Sequence, residues 1–235
     1  MQSGKQYKVE LAIKIRDREY VLSELEYNTQ DTEEIKGIYT VEEFREIQPK
    51  GHYIVLNDID LSNGTGGLTN RFGYYYGRKI MFEGNINFNG NKLITDYKNS
   101  ESIFSGISEE GIIENLVLEI RLNNELEINT FYGLTYSNYG TIRNIVVNLT
   151  ECSKVQNNNI FLIGSYNYGT LENFIIHNSV PLYGNSGLTM GFENNYGTIK
   201  NGYIYGEDIE IKGKLLTNDR NVGGLVIGSS SRGLI

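Results

Sequence analysis

Apolar and polar positions alternate in short runs along the chain, and the runs are cut by glycine and asparagine far more often than by proline. Residues 7–22 alternate through Val9, Leu11, Ile13 and Ile15, break at Arg16-Asp17-Arg18, and resume at Tyr20-Val21-Leu22. This pattern predicts a β-hairpin, followed by a polar stretch over residues 28–36. One segment departs from strand spacing. Thr40 followed by Glu43 forms a capping box, and Val41, Phe44 and Ile47 share one face, so a short helix is predicted, closed by Pro49 and Gly51. Such a helix suits the open end of a stack of strands, whose unpaired edge would otherwise invite aggregation. Residues 53–56 with the run Asp58-Ile59-Asp60-Leu61 predict a first set of strands. The segment FEGNINFNGNKLI from Phe82, turning at Asn89-Gly90, predicts the next.

Beyond residue 108 the pattern repeats. EEGIIENLVLE from Glu109, NYGTIRNIVVN from Asn138, NYGTLENFIIH from Asn167 and NYGTIKNGYIY from Asn195 align without gaps. Gly111, Gly140, Gly169 and Gly197 recur at spacings of 29, 29 and 28, and Asn115, Asn144, Asn173 and Asn201 recur identically. Each unit holds β-branched runs bounded by Gly and Asn, without an apolar stripe at helical spacing. A leucine-rich repeat would show its own leucine pattern, and a propeller blade needs about 40 residues. A unit of this length instead suits one coil of a right-handed parallel β-helix, three short strands and three corners.

Stacking the coils puts Ile113, Ile142, Leu171 and Ile199 in one interior row, and Leu118, Val147, Ile176 and Ile204 in a second. Leu116, Ile145, Phe174 and Gly202 make a third, closed by glycine. The recurring asparagine stands where alternation breaks, so it belongs at a corner, bonding to backbone and to the asparagine one coil away. Just before it, Glu114, Arg143, Glu172 and Lys200 alternate in sign, which sets opposite charges side by side on coils about 4.8 Å apart.

The chain is therefore read as all-β, with a hairpin and linker over residues 1–36 and a parallel β-helix with a short capping helix over 37–235. At 235 residues it can bury a sizeable core, and 2 prolines against 27 glycines mean tight turns, not a disordered linker. A net charge of −8 without a basic patch excludes a nucleic-acid binder and a polybasic membrane-surface segment. The single cysteine, Cys152, excludes an intramolecular disulfide and reads as a small buried thiol. The opening residues lack a signal-peptide pattern, and no apolar run approaches the about 18 residues of a spanning helix. The last residues, Arg232-Gly233-Leu234-Ile235, read as the start of a further repeat, so a longer parent chain is expected.

Taken together, EEFREIQPKGHYIVLNDIDLS, FEGNINFNGNKLI, SIFSGISEEGIIENLVL and the three YGT repeats resemble the GLUG-repeat family of bacterial surface and secreted proteins. The resemblance runs from about residue 38 to the end. Among proteins with such a helix, the chain looks most like the N-terminal region of Gram-positive zinc metalloendopeptidases of the immunoglobulin A protease type. Asn87-Phe88-Asn89 departs from the family's acidic "FDG", and its common tryptophan is missing. The resemblance implies an extracellular, secreted or wall-associated virulence factor with host immunoglobulin A as partner. It also implies a non-catalytic module that positions or gates substrate for a separate catalytic domain of the parent, where the zinc would lie. An adhesin module binding host glycan or protein, and a polysaccharide-active β-helix enzyme, are the alternatives.

The residues themselves bear on these readings. His52 and His177 are the only histidines and neither belongs to H-E-x-x-H, so no metal, cofactor or catalytic residue is expected in this chain. Gly184-Asn185-Ser186-Gly187 looks like the surroundings of a trypsin-like nucleophile, yet His177 lies nine residues before Ser186, and a turn is the better reading. Asp58 and Asp60 share a face, which glycosidase chemistry or calcium binding could use, and which a structural corner explains more simply. Tyr139, Tyr168 and Tyr196 precede the repeat glycines and predict a stacked aromatic row, either corner packing or a site for glycan or a proline-rich peptide. Tyr74, Tyr75 and Tyr76, placed in a loop, are the candidate substrate-binding residues.

Overall fold

In the computed structural model the described residues are 6–15, 18–28, 34–62, 74–75, 78–79, 81–96, 102–122, 130–152, 159–178, 188–189, 191–206 and 227–231. The chain divides into two compact units, Met1–Ile35 and Lys36–Ile235. The first is an antiparallel ribbon of β1 (Gln6–Ile15) and β2 (Arg18–Asn28), in register from Gln6 opposite Asn28 to Ile15 opposite Arg18. Its register shifts once, between Leu11 and Ala12. The predicted turn residues Arg16 and Asp17 lie outside the described residues.

The boundary between the units falls in β3 (Ile35–Ile38), a strand that the sequence pattern does not mark, and α1 (Val41–Arg45) follows. Both halves of the capping box form: the Glu43 amide donates to Thr40 Oγ1, and the Glu43 carboxylate accepts from the amides of Tyr39 and Thr40. The helix has no room to be stable alone. Phe44 holds it by packing on Phe88 (6.0 Å between centroids) and Phe104 (6.5 Å), while Ile38 and Ile47 are buried beside it.

From there the chain is nearly all β, and its strands stack in parallel as a β-solenoid. β4 (His52–Val55) and β5 (Ile59–Asp60) form the first rung, and β6 (Tyr74–Tyr75) with β7 (Arg78–Lys79) a two-residue antiparallel ladder beyond it. β8 (Asn85–Asn87) and β9 (Lys92–Asp96) make the second rung. β10 (Ile112–Leu122) follows. The remaining repeats each give a short and a long strand after a two- or three-residue one: β11 (Thr130–Phe131), β12 (Thr135–Asn138) and β13 (Thr141–Cys152), then β14 (Asn159–Phe161), β15 (Gly164–Asn167) and β16 (Thr170–Asn178). Next come β17 (Leu188–Thr189), β18 (Phe192–Asn195), β19 (Thr198–Gly206) and β20 (Ile227–Ser231). The long strands order as β4-β8-β10-β13-β16-β19, the middle ones as β12-β15-β18-β20 and the shortest as β11-β14-β17.

The register is the one that the repeat demands. Ile142 lies opposite Ile113 on one side and Leu171 on the other, and all three are wholly buried. The row extends to Ile199 above and to Ile86 and Tyr53 below. Leu118, Val147, Ile176 and Ile204 align likewise, as do Leu116, Ile145, Phe174 and Gly202. The glycine that closes this last row has a steric cause. A Cβ at Gly202 would lie 2.0 Å from Cζ of Phe174, so the phenylalanine ring occupies the volume its neighbour lacks.

Asparagine explains how Ile113 and Leu116, three residues apart, both face inward. Asn115, Asn144, Asn173 and Asn201 all have φ between 53° and 56°, the left-handed conformation that asparagine tolerates better than other non-glycine residues. Each skips one step of the alternation without ending the strand. Their amides form a ladder: Asn144 Nδ2 donates to Asn115 Oδ1 (3.0 Å), Asn173 to Asn144 (3.1 Å) and Asn201 to Asn173 (3.0 Å), and Asn115 itself donates to Asn87 (3.1 Å). In the second rung, Asn89 and Gly90 both have positive φ and Asn91 N–H donates to Phe88 O (2.8 Å), a tight turn that adds two residues to that rung.

The gapless alignment of the repeats fails at one place. Upstream of Gly111, Asn138 lies beside Ile107 and not beside Glu109, because the Gly111 amide closes a turn onto Ser108 O (3.0 Å) and loops two residues out.

Candidate functional site

The tyrosine row is built from the corner upward. Tyr168 N–H donates to Asn138 O (2.7 Å), and Tyr196 N–H donates to Asn167 O (2.7 Å), so successive corners are fixed by backbone bonds. The glycine after each tyrosine lets the rungs approach: a Cβ on Gly169 would stand 2.1 Å from Gly140 O, and one on Gly197 2.1 Å from Gly169 O. Before each tyrosine an asparagine turns inward. Asn138, Asn167 and Asn195 are wholly buried and form a second amide ladder, Asn138 Nδ2 donating to Asn167 Oδ1 (2.8 Å) and Asn167 Nδ2 to Asn195 Oδ1 (2.7 Å). The ladder ends at Asn138 Oδ1, which has no protein partner because the rung below offers Ile107.

Held this way, the rings stack. Tyr139 and Tyr168 have centroids 4.7 Å apart and planes within 9°, and Tyr168 and Tyr196 are 5.1 Å and 13° apart. Those spacings exceed the ~3.5 Å of carbon–carbon contact, so parallel rings overlap as an offset stack, the arrangement that aromatic quadrupoles favour. Each of the three tyrosines keeps 38–44% of its surface exposed. Tyr166 continues the face, stacked 6.2 Å from Tyr168, with Tyr136 edge-on to it at 5.6 Å and Tyr132 edge-on to Tyr136 at 4.9 Å. Sequence spacing marks only the first three, because Tyr132, Tyr136 and Tyr166 do not recur in every rung.

The phenols of Tyr166 and Tyr168 are held protonated. Burial raises the pKa of Tyr166, and Tyr136, Glu193 and Tyr196 raise it further. Burial, then Tyr139, Tyr196 and Tyr166, raise that of Tyr168. Glu193 stands on the same sheet, its carboxylate accepting from Ser165 Oγ (2.6 Å).

The other predicted features are structural in their contacts. Arg143 donates through Nε to Glu114 Oε2 (2.8 Å) and approaches it through Nη2 (2.7 Å), and Lys200 Nζ lies 2.8 Å from Glu172 Oε2. Arg143→Glu should therefore cost only about 0.2–1 kcal/mol, and the loss should shrink with added salt in urea titrations. A salt-independent loss would mean the side chain faces the core. Asp58 Oδ1 accepts from the Lys92 amide (2.8 Å) and Asp60 Oδ1 from the Ser62 amide (2.9 Å). His177 stacks on Tyr205 at 4.5 Å. Glu119 is buried, which alone would raise its pKa, but hydrogen bonds and charge from Arg121 and Lys92 hold it below the usual value. Among the described residues no three His, Cys, Asp or Glu come together as metal ligands. No helix among them is long and apolar enough to cross a membrane.

Tyr74 and Tyr75 stand in the β6–β7 ladder and not in a plain loop, while their side chains and all of Tyr76 lie outside the described residues. So do Ser186 with its neighbours, the side chain of Cys152, and residues 232–235. No family model matches the chain, and neither a curated protein nor a solved structure matches it.

Proposed function

We propose that this chain is a non-catalytic recognition module, the β-solenoid part of a secreted or surface zinc metalloendopeptidase of the immunoglobulin A protease type. Its role is to position or admit the immunoglobulin for a catalytic domain elsewhere in the parent. One observation carries the reading: the recurring polar residues are consumed in rung-to-rung pairing, and what recurs outward beside them is the exposed tyrosine stack. Paired charges and laddered amides do not gather into an acid–base set, whereas a rigid aromatic face offers contact area at low entropic cost. The assignment to a metalloendopeptidase, its extracellular location and its immunoglobulin partner rest on the resemblance of the repeats.

Deleting residues 38–235 from the parent tests this. Cleavage of the large folded immunoglobulin should fall far more than cleavage of a short hinge peptide, since a remote surface contributes only to substrates that reach it. Equal loss on both would make the solenoid a folding scaffold instead. The isolated chain should cleave neither.

A further inference from the structure

The tyrosine face has a period, a sign and a length that narrow what can lie on it. Its three exposed rings advance by 4.7 and 5.1 Å per rung in one direction, a step that one pyranose ring of an extended glycan also spans. Offset stacking leaves each ring a strip of π-face and an outward edge, so a sugar can pack on the strip while its hydroxyls meet phenol oxygens. Tyr166 and Tyr136 widen the strip beside the row, and Glu193, bonded to Ser165, adds an acceptor for hydroxyl groups. Raised pKa values keep the Tyr166 and Tyr168 phenols protonated and uncharged, so the negative charge beside the row is the Glu193 carboxylate. An acidic polymer such as a uronate chain is repelled there. Arg143 and Lys200, in the adjoining long strands, are held by Glu114 and Glu172 and do not offset that sign.

We propose that the face formed by Tyr139, Tyr168 and Tyr196, with Tyr136, Tyr166 and Glu193, binds an extended neutral polysaccharide whose chain runs along the solenoid axis. The proposal rests on the chain being a non-catalytic recognition module; it gives this face a carbohydrate ligand and leaves the immunoglobulin to another surface of the parent. Rigid rings preorganised by the buried amide ladder lose little freedom on binding, so affinity comes from repeated weak contacts, one per rung.

Affinity electrophoresis of the full chain tests it, in gels containing a soluble β-1,4-linked neutral glycan (hydroxyethylcellulose or glycol chitin), polygalacturonate, or no polymer. Retardation should occur in a neutral polymer and not in polygalacturonate. Tyr168→Ala should weaken it at least tenfold. Tyr168→Phe, which keeps the stack and the fold, should weaken it about threefold, and Tyr205→Ala, on another face, should leave it unchanged. The far-ultraviolet circular dichroism of each variant checks that it folds. No retardation by either neutral polymer overturns the proposal, as does retardation that Tyr168→Ala and Tyr168→Phe leave intact. The latter result would keep the recognition module and move its site. Retention on an immobilised proline-rich peptide with none on glycan would give the face to a protein partner and also overturn the proposal. New reducing ends in the neutral polymer would instead overturn the non-catalytic reading itself.

Discussion

Ile142→Ala should lower the free energy of unfolding by about 2–5 kcal/mol in urea titration. Ile142 is wholly buried between Ile113 and Leu171, themselves wholly buried, in a row where each side chain is wedged by the rungs above and below. A solenoid interior cannot collapse around the lost Cγ1, Cγ2 and Cδ1 atoms as a loop-lined core can, because both neighbours are fixed by parallel backbone pairing. The cavity therefore persists and the cost tends toward the upper part of that range. An exposed residue of the same strand sets the scale, since changes away from such features stay within about 0.5 kcal/mol. A loss that small for Ile142→Ala would mean the row is not packed as described.

Asn167→Ala should be comparably damaging, for a polar reason. Its amide is the middle of the buried ladder, accepting from Asn138 Nδ2 at 2.8 Å and donating to Asn195 Oδ1 at 2.7 Å. Alanine deprives both partners at once where water has no access. Each stranded group costs about 1–3 kcal/mol, lessened by the longer bonds that remain, Asn138 Nδ2 donating to Thr170 O and the Gly197 amide donating to Asn195 Oδ1, both at 3.3 Å. Asn144→Gly is the informative comparison. It breaks the outer ladder at the same period, but water can reach the exposed amides, and glycine accepts the left-handed backbone of residue 144 without strain. Equal losses in the two variants would show that the inner ladder is hydrated.

Much of this was legible in the sequence, and the physical reason is repetition. A residue that recurs every 28 or 29 positions meets its own kind one rung away, so interior rows, charge alternation and the outer asparagine ladder could each be read by aligning four segments. The inner ladder was not recovered, although Asn138, Asn167 and Asn195 recur just as regularly. A period reveals which residues stack and not which way they point, and a polar residue before Tyr-Gly reads as a solvated corner. The equivalence of Glu109 with Asn138 failed because a two-residue loop can be inserted at a solenoid corner without disturbing the strands on either side. Tyr132, Tyr136 and Tyr166 join the tyrosine face through rung-specific geometry that no repeat signals.

Every one of these features follows from in-register parallel stacking, and a pair of cysteines measures that register directly. With Cys152 replaced by serine, Arg143→Cys combined with Glu172→Cys places two thiols on directly opposed residues of neighbouring strands. Opposed strands lie about 4.8 Å apart, within the about 4.4–6.8 Å between Cα atoms that a disulfide spans. The control pair is Arg143→Cys with Ile175→Cys, displaced three residues along the strand, about 10 Å. Under mild oxidation the first pair should lose its free thiols as an intramolecular disulfide, and the control pair should keep them. Cross-linking of the control pair with none in the first would contradict the register, and with it the ladders and the tyrosine face built on it.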